Sequence, residues 1–166
     1  MLTDENLRFA IDDARRRHSA VLDLIYHIEK QSTGLLGLYT TLGIASASGF
    51  VASLSATLPI PRAAGCALLG ATIVLLVGAW KCGMAMKPAQ INLPGRNARF
   101  WLWANEPQID AKAVFNEYLT ALQNGYELNT KVSNVSSIDL KDAKSCGLYA
   151  PLIALLVGIA AFAMGA

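Results

Sequence analysis

The sequence predicts an all-α membrane protein with three transmembrane helices, of which the first and third are extended by long cytoplasmic helices. Of the 166 residues, 54% are hydrophobic and only 16% are charged. The mean hydropathy is +0.38, which is high for a soluble protein. Three windows of at least eighteen residues carry no charge, namely 31–61, 63–80 and 145–166. All Asp, Glu, Lys, Arg and His residues lie outside these windows.

The uncharged windows are long enough to cross a bilayer. A hydrocarbon core about 30 Å thick needs about 20 apolar residues in helix, so the candidate spans are 34–58, 63–84 and 146–164. The second span includes Lys81, whose ammonium we expect to reach the headgroups from the end of the helix. A soluble bundle is the alternative, and it would need polar helices to cover three helices that are apolar on all sides.

The positions of the basic residues predict the orientation. The segment before the first span holds five Lys and Arg residues, the segment 81–144 holds eight, and the Pro-rich turn 59–62 holds one. The positive-inside rule then places the N-terminus and the long second loop in the cytoplasm and Ala166 on the opposite side. The first thirty residues are too rich in charge for a signal peptide.

The segment 1–33 is predicted to be a cytoplasmic amphipathic helix. It has neither Pro nor Gly between Thr3 and Thr33, and apolar positions recur at alternating four- and three-residue steps. These positions are Leu7, Ile11, Ala14, His18, Val21, Ile25, Ile28 and Leu35. The spacing predicts a helix that continues unbroken into the first span. Within this stripe, His18 either sets the packing register or is a pH-sensitive or ligand-contacting group.

The segment 87–144 is predicted to form a connector and a second long helix. Residues 87–107 contain three prolines, which favours a turn-rich connector without a helix or strand of its own. Residues 108–144 form a helix that enters the third span, 145–166, where Pro151 is a site for a kink. Its predicted apolar stripe is Val114, Tyr118, Leu122, Val132 and Val135. Because so polar a helix has no core of its own, we expect it to pack on the N-terminal helix, on another subunit, or on both.

Small side chains recur every four residues in the first span of the predicted transmembrane hairpin, 34–86. This small-residue row is Gly37, Thr41, Ala45, Gly49, Ser53 and Thr57. Rows of this kind let helix backbones approach closely in lipid, so we expect the row to mediate oligomerisation. The same span holds seven Ser and Thr hydroxyls, which either line an aqueous path or bond back to carbonyls one turn earlier.

The sequence gives no reason to expect an enzyme. We expect no catalytic residues, no metal ligands and no cofactor, because Cys66, Cys82 and Cys146 lack the spacing of a metal or redox motif. A net charge of +2 gives no reason to expect a nucleic-acid polymer as a partner.

Three segments carry a resemblance to a known family: EKQSTGLLGLYTTLGIASASG from Glu29, MKPAQINLPGRNARFW from Met86, and NEYLTALQNGYELNTKVSN from Asn116. In this order the chain resembles the small membrane effectors of the Pycsar anti-phage systems and, more loosely, the two-transmembrane effector domains of bacterial conflict operons. The residues that match the family's pattern are Lys30, Ser32, Gly34, Leu35 and Leu36 around the start of span one, then Pro88, Pro94, Gly95, Phe100 and Trp101 after span two.

The resemblance implies a homo-oligomeric protein of the bacterial inner membrane that disrupts the membrane when a cyclic mononucleotide accumulates. Its partners would be membrane lipid, further copies of the chain and that ligand, and its C-terminus would be periplasmic. Arg96, Arg99, Trp101 and Trp103 are candidate contacts for the ligand's phosphate and base, or for anionic lipid. Two other functions remain open: a structural or scaffold subunit of a larger membrane complex, and a holin-like pore that needs no ligand.

Overall fold

The computed structural model describes residues 4–55, 61–86 and 90–165. These residues form four helices and no strand: α1 (Asp4–Ser53), α2 (Arg62–Ala85), α3 (Ala98–Ala104) and α4 (Ala111–Ala163). Helices α1, α2 and α4 are long and apolar enough to cross a membrane. The predicted fold, all-α with three membrane-spanning helices of which the first and last are extended, is confirmed.

The chain divides into two compact units that differ in polarity. The polar unit is Met1–His27 with Pro88–Asn134, and the apolar unit is Ile28–Lys87 with Val135–Ala166. All three uncharged windows of the sequence belong to the apolar unit. Helices α1 and α4 contribute residues to both units, whereas α2 lies in the apolar unit and α3 in the polar unit.

In the polar unit, α1 packs against α4 along the predicted stripe. His18, Leu22 and Ile25 of α1 are at most 7% exposed, as are Tyr118 and Leu122 of α4. The four- and three-residue steps place these side chains on one face of each helix, because a helix turns about 100° per residue. Of the predicted positions, His18 and Ile25 are buried and Val21 is half-buried, whereas the buried Leu22 was not predicted. The stripe predicted for α1 is therefore confirmed at His18 and Ile25.

The stripe predicted for α4 is correct at its start and wrong further along. Val135 is 63% exposed. The buried positions that follow Leu122 are instead Gly125, Asn129 and Ser133. They keep the helical spacing but are not apolar, so a search for hydrophobic residues does not find them.

The connector contains a helix that the sequence analysis did not predict. Helix α3 begins after Asn97, whose Oδ1 accepts a hydrogen bond from the Phe100 backbone N–H at 3.1 Å. Such a side-chain cap satisfies a donor that the first turn leaves free. Neither Pro nor Gly interrupts the chain between Gly95 and Pro107, so a short helix fits there. The expectation of a connector without an element is wrong for these seven residues; Pro88 lies outside the described residues.

The apolar unit is held together by close contacts of small residues. A Cβ added at Gly70 of α2 would lie 3.2 Å from Val157 of α4, and one added at Gly158 of α4 would lie 3.1 Å from Ala67 of α2. The buried cluster of this unit contains Tyr39, Leu75, Cys82, Ala143 and Ala150. Packing of this kind drives helix association in lipid, where the hydrophobic effect between helices is absent.

The first span is shorter than predicted. Helix α1 ends at Ser53, and its last turn tightens through bonds from Leu54 N to Val51 O at 3.1 Å and from Ser55 N to Ala52 O at 3.2 Å. Residues 34–53 still extend about 30 Å, the thickness of a hydrocarbon core. The predicted end at Leu58 lies outside the described residues. In the third span, Pro151 lies inside α4 and does not end the helix.

Candidate functional site

The structure divides the predicted small-residue row into two parts. Gly37, Thr41 and Ala45 are exposed, and no described atom lies within 4 Å of a Cβ added at Gly37. Gly49 and Ser53 are half-buried and face α2, since a Cβ added at Gly49 would lie 2.7 Å from Leu68 Cδ1 and one at Gly65 would collide with Ser53. Thr57, the last member of the row, lies outside the described residues.

The division follows from helix geometry. Four residues turn the helix by about 400°, so each member of the row lies about 40° further round than the one before it. Between Gly37 and Ser53 the row therefore winds through about 160°. It starts on the exposed face and ends on the face that contacts α2. Among the described members of the row, Gly37, Thr41 and Ala45 are exposed, so a contact with another chain through these five members would have to use those three.

The hydroxyls of the first span bond to their own helix. Thr40 Oγ1 donates to Leu36 O at 2.8 Å, and Thr41 Oγ1 donates to Gly37 O at 2.9 Å. Near the end of α1, Ser53 Oγ donates to Phe50 O at 2.6 Å and Ser55 Oγ to Ala52 O at 2.8 Å. Bonds of this kind satisfy a hydroxyl without water. For these four hydroxyls the second interpretation, back-bonding, is the one that the structure supports.

Tyr39 is the centre of the three-helix contact, and the sequence analysis missed it. Its ring is 4% exposed and lies between Gly78 of α2 and Gly147 of α4. A Cβ at Gly78 would lie 2.9 Å from the ring carbons, and one at Gly147 would collide with the hydroxyl. The hydroxyl donates to Ala143 O at 2.9 Å. The small residues of span one do not reveal this contact, because Gly78 and Gly147 belong to the other two spans.

Lys81 forms ion pairs with two aspartates of α4. Its Nζ lies 3.0 Å from Asp139 Oδ1 and 3.0 Å from Asp142 Oδ2. The two aspartates are three residues apart on α4, so they share a helix face. Two carboxylates of the neighbouring helix compensate the charge of the ammonium, and the expectation that it extends to the headgroups stays a prediction. This triad links the end of α2 to the start of the third span.

The polar unit contains a cluster of aromatic and cationic side chains. Phe100 of α3 lies 5.1 Å from Trp101 and 6.0 Å from Tyr118 of α4 between ring centroids. The guanidinium of Arg15 lies 5.2 Å from the Tyr118 ring centre, and that of Arg96 lies 5.0 Å from the Phe100 ring centre. Arg15 Nε also donates to the Tyr118 hydroxyl at 2.9 Å. The cluster therefore brings two cations and several aromatic faces together.

Three of the four candidate ligand residues belong to this cluster. Arg96 and Trp101 are described above, and the ring centroid of Trp103 lies 5.5 Å from that of Phe100. Arg99 is exposed and takes no part in the ring contacts described for the cluster. Arg96 Nη2 donates to Glu117 Oε1 at 2.9 Å, and its buried Nε has no hydrogen-bond partner among the described residues. An anion that binds Arg96 would have to compete with Glu117.

His18 lies in a buried polar network that the sequence analysis did not identify. His18 is 1% exposed and Asn129 is 0% exposed. Asn129 pairs with the backbone of Asn92, since the Asn92 N–H donates to Asn129 Oδ1 at 3.0 Å and Asn129 Nδ2 donates to Asn92 O at 2.8 Å. His18 Nε2 lies 2.8 Å from both Asn92 O and Asn129 Nδ2. The network joins α1, the connector and α4, which favours the packing-register interpretation of His18.

Gly125 makes room for this network. A Cβ there would lie 2.7 Å from His18 Cε1. A sequence signal for the network did exist, since Gly125 and Asn129 continue the spacing of Tyr118 and Leu122, and Asn is a residue type that is mostly exposed.

The fold defines a class: a helical membrane protein with three apolar helices. Within the described residues, no group of three His, Cys, Asp or Glu side chains is placed to hold a metal ion. No family model matches the chain, and no curated protein or solved structure is significantly similar to it.

Proposed function

We propose that the chain is a non-enzymatic effector of the bacterial inner membrane that self-associates and permeabilises the bilayer in anti-phage defence when a cyclic nucleotide binds. The observation that carries the proposal is the exposed surface formed by Gly37, Thr41 and Ala45 on α1. The buried residues Tyr39 and Gly43 lie two positions from Thr41, about 200° round the helix. Within the apolar unit, the exposed row therefore faces away from α2 and α4.

An exposed row of small residues favours contact between copies of the chain. Gly37 and Ala45 allow the backbones of two α1 helices to approach closely, and such contacts are a common basis of helix association in lipid. The Thr41 hydroxyl already donates a hydrogen bond to its own helix. None of the three side chains of this surface therefore needs water as a hydrogen-bond partner. A symmetric pair of copies would place the same surface on both sides of the interface.

The aromatic and cationic cluster of the polar unit is the proposed ligand site. Arg15 and Arg96 supply positive charge for a phosphate, and the ring of Trp101, 48% exposed, offers a face for a base. Binding would draw Arg96 away from Glu117. Helices α1 and α4 contribute residues to both units, so continuous helices connect the proposed ligand site to the spans.

The proposed orientation has the N-terminus and the segment 81–144 in the cytoplasm and the C-terminus in the periplasm. The count of Lys and Arg residues, five and eight in these segments against one between the first two spans, supports it.

Dye release from sealed vesicles tests the proposal. The full chain is reconstituted in vesicles of phosphatidylethanolamine and phosphatidylglycerol that contain a self-quenched dye, and each cyclic mononucleotide is added in turn. We expect release with at least one of them and none without it. Gly37→Leu should lower the release, whereas Gly83→Leu, at a glycine of α2 that also has open space around it, should not. Vesicles that stay sealed with every nucleotide would contradict the proposal.

A scaffold subunit is the second candidate, and one observation favours it. Phe9, Leu93 and Leu102 are between 71% and 73% exposed in the polar unit, and a partner would cover them if they form one contiguous apolar patch. A stoichiometric protein partner that copurifies with the chain, together with vesicles that remain sealed, would favour this function. Release without any nucleotide would instead favour a holin-like pore.

A further inference from the structure

An apolar groove of about 660 Å³ opens on the surface of the apolar unit. Leu38 and Leu42 of α1 form one side, and Leu148 and Pro151 of α4 form the other. These four side chains are largely exposed, whereas the buried Tyr39 also lines the groove. Because α1 and α4 are membrane-spanning helices, the groove opens toward the acyl chains of the bilayer.

The groove has the length of one leaflet. On α1 its lining extends from Leu35 to Ser46, and eleven helical steps cover about 16 Å. Half of a hydrocarbon core is about 15 Å. A single acyl chain that lies along α1 would therefore fill the groove from the headgroup level to the middle of the bilayer.

One end of the groove is cationic. Lys144 belongs to its lining, and its Nζ donates to Gln31 Oε1 at 2.8 Å. Among the described residues Lys144 forms no ion pair, whereas Lys81 binds two aspartates. An ammonium has three donors, so Lys144 retains hydrogen-bonding capacity for an anion at the mouth of the groove.

We propose that this groove binds an anionic phospholipid, with one acyl chain along α1 and the phosphate at Lys144. A span of a second copy is a poorer occupant, because no Asp or Glu occurs in 31–80 or 145–166 and these spans offer no charge that complements Lys144. A phospholipid supplies that negative charge, because its phosphate lies at the headgroup end of the acyl chain that fills the groove.

The headgroup contact is tested by native mass spectrometry of the full chain in detergent. Phosphatidylglycerol and phosphatidylcholine with identical acyl chains are titrated separately, and the lipid-bound fraction is measured. We expect a preference of about fivefold for phosphatidylglycerol, the contribution of one lysine near an anionic headgroup. Lys144→Gln should remove the preference. Lys141→Gln, an exposed lysine of the same helix outside the groove, should keep it.

The acyl-chain contact needs a separate variant. Ser46→Phe fills the deep end of the groove and should reduce binding of both lipids, whereas Ile44→Phe, at an exposed position of α1 outside the groove, should not. If Ser46→Phe fails to fold, the Lys144→Gln comparison still decides, because that residue is exposed. Absence of bound lipid, equal preference in wild type and Lys144→Gln, or a dimer that excludes lipid from the groove would overturn the proposal.

Discussion

At the scale of single residues, Asn129 makes an unusually complete set of contacts for a buried polar side chain. Its Oδ1 accepts from the Asn92 N–H and its Nδ2 donates to Asn92 O, so one amide satisfies both backbone groups of the connector residue. Buried polar groups are costly to leave unpaired. The side chain therefore fixes where the connector lies on α1 and α4.

We predict that Asn129→Ala destabilises the protein. The backbone groups of Asn92 would lose their partner, which lowers the free energy of unfolding by about 1–3 kcal/mol. Denaturant unfolding in detergent, followed by circular dichroism, measures the change. Asn124→Ala is the matched control, since Asn124 is exposed on the same helix and should change stability by less than about 0.5 kcal/mol. Equal stability of the two variants would contradict the assigned role of Asn129.

The Tyr39 contact gives a second prediction at this scale. Gly78→Ala would place a methyl group 2.9 Å from the Tyr39 ring and should cost about 1–3 kcal/mol, the usual range for overpacking. Gly83→Ala has open space and should be neutral or stabilising, because Ala favours helix more than Gly. Thermal unfolding in detergent compares them. A lower midpoint for Gly83→Ala than for Gly78→Ala would show that the ring does not pack on Gly78.

At the scale of elements, the two parts of the small-residue row respond differently to the same substitution. Gly37→Leu adds its side chain to open space, so the monomer should keep its stability while self-association weakens by on the order of tenfold. Gly49→Leu meets Leu68 and should destabilise the chain itself. Sedimentation equilibrium in detergent gives the association constant, and thermal unfolding gives the stability.

The outcomes distinguish two roles for the row. A loss of self-association with both variants and no change in stability would mean that the whole row faces other copies. A loss of stability with Gly37→Leu would mean that this part also packs within the chain.

Elements with a strong apolar period were predictable from the sequence, and polar ones were not. The stripe that begins at Leu7 predicted that α1 is continuous into the first span, as α1 (Asp4–Ser53) confirms. Helix α3 was missed because seven residues between Gly95 and Pro107 are too few to show a period, and its start depends on the Asn97 cap. Gly125 and Asn129 were missed because neither has an apolar side chain, so a hydrophobic period does not include them.

At the scale of the whole molecule, the sequence predicted how many helices cross the membrane but not how they contact each other. The number of spanning helices follows from the length and lack of charge of each segment, and both are visible in the sequence. The contact of Gly78 and Gly147 with Tyr39 depends on how three helices cross, which no single span encodes. The division of the small-residue row has the same origin, since the position of α2 decides which members are covered.

The central claim is that copies of the chain meet in the membrane through the exposed row of α1. Disulfide cross-linking in native membranes tests it most directly, with Cys66, Cys82 and Cys146 replaced by Ala and one new cysteine introduced. Thr41→Cys should give a cross-linked dimer. Thr40→Cys, also exposed but about 100° away on the helix, should remain monomeric under the same oxidation. Equal cross-linking at both positions, or none at Thr41→Cys, would contradict the claim.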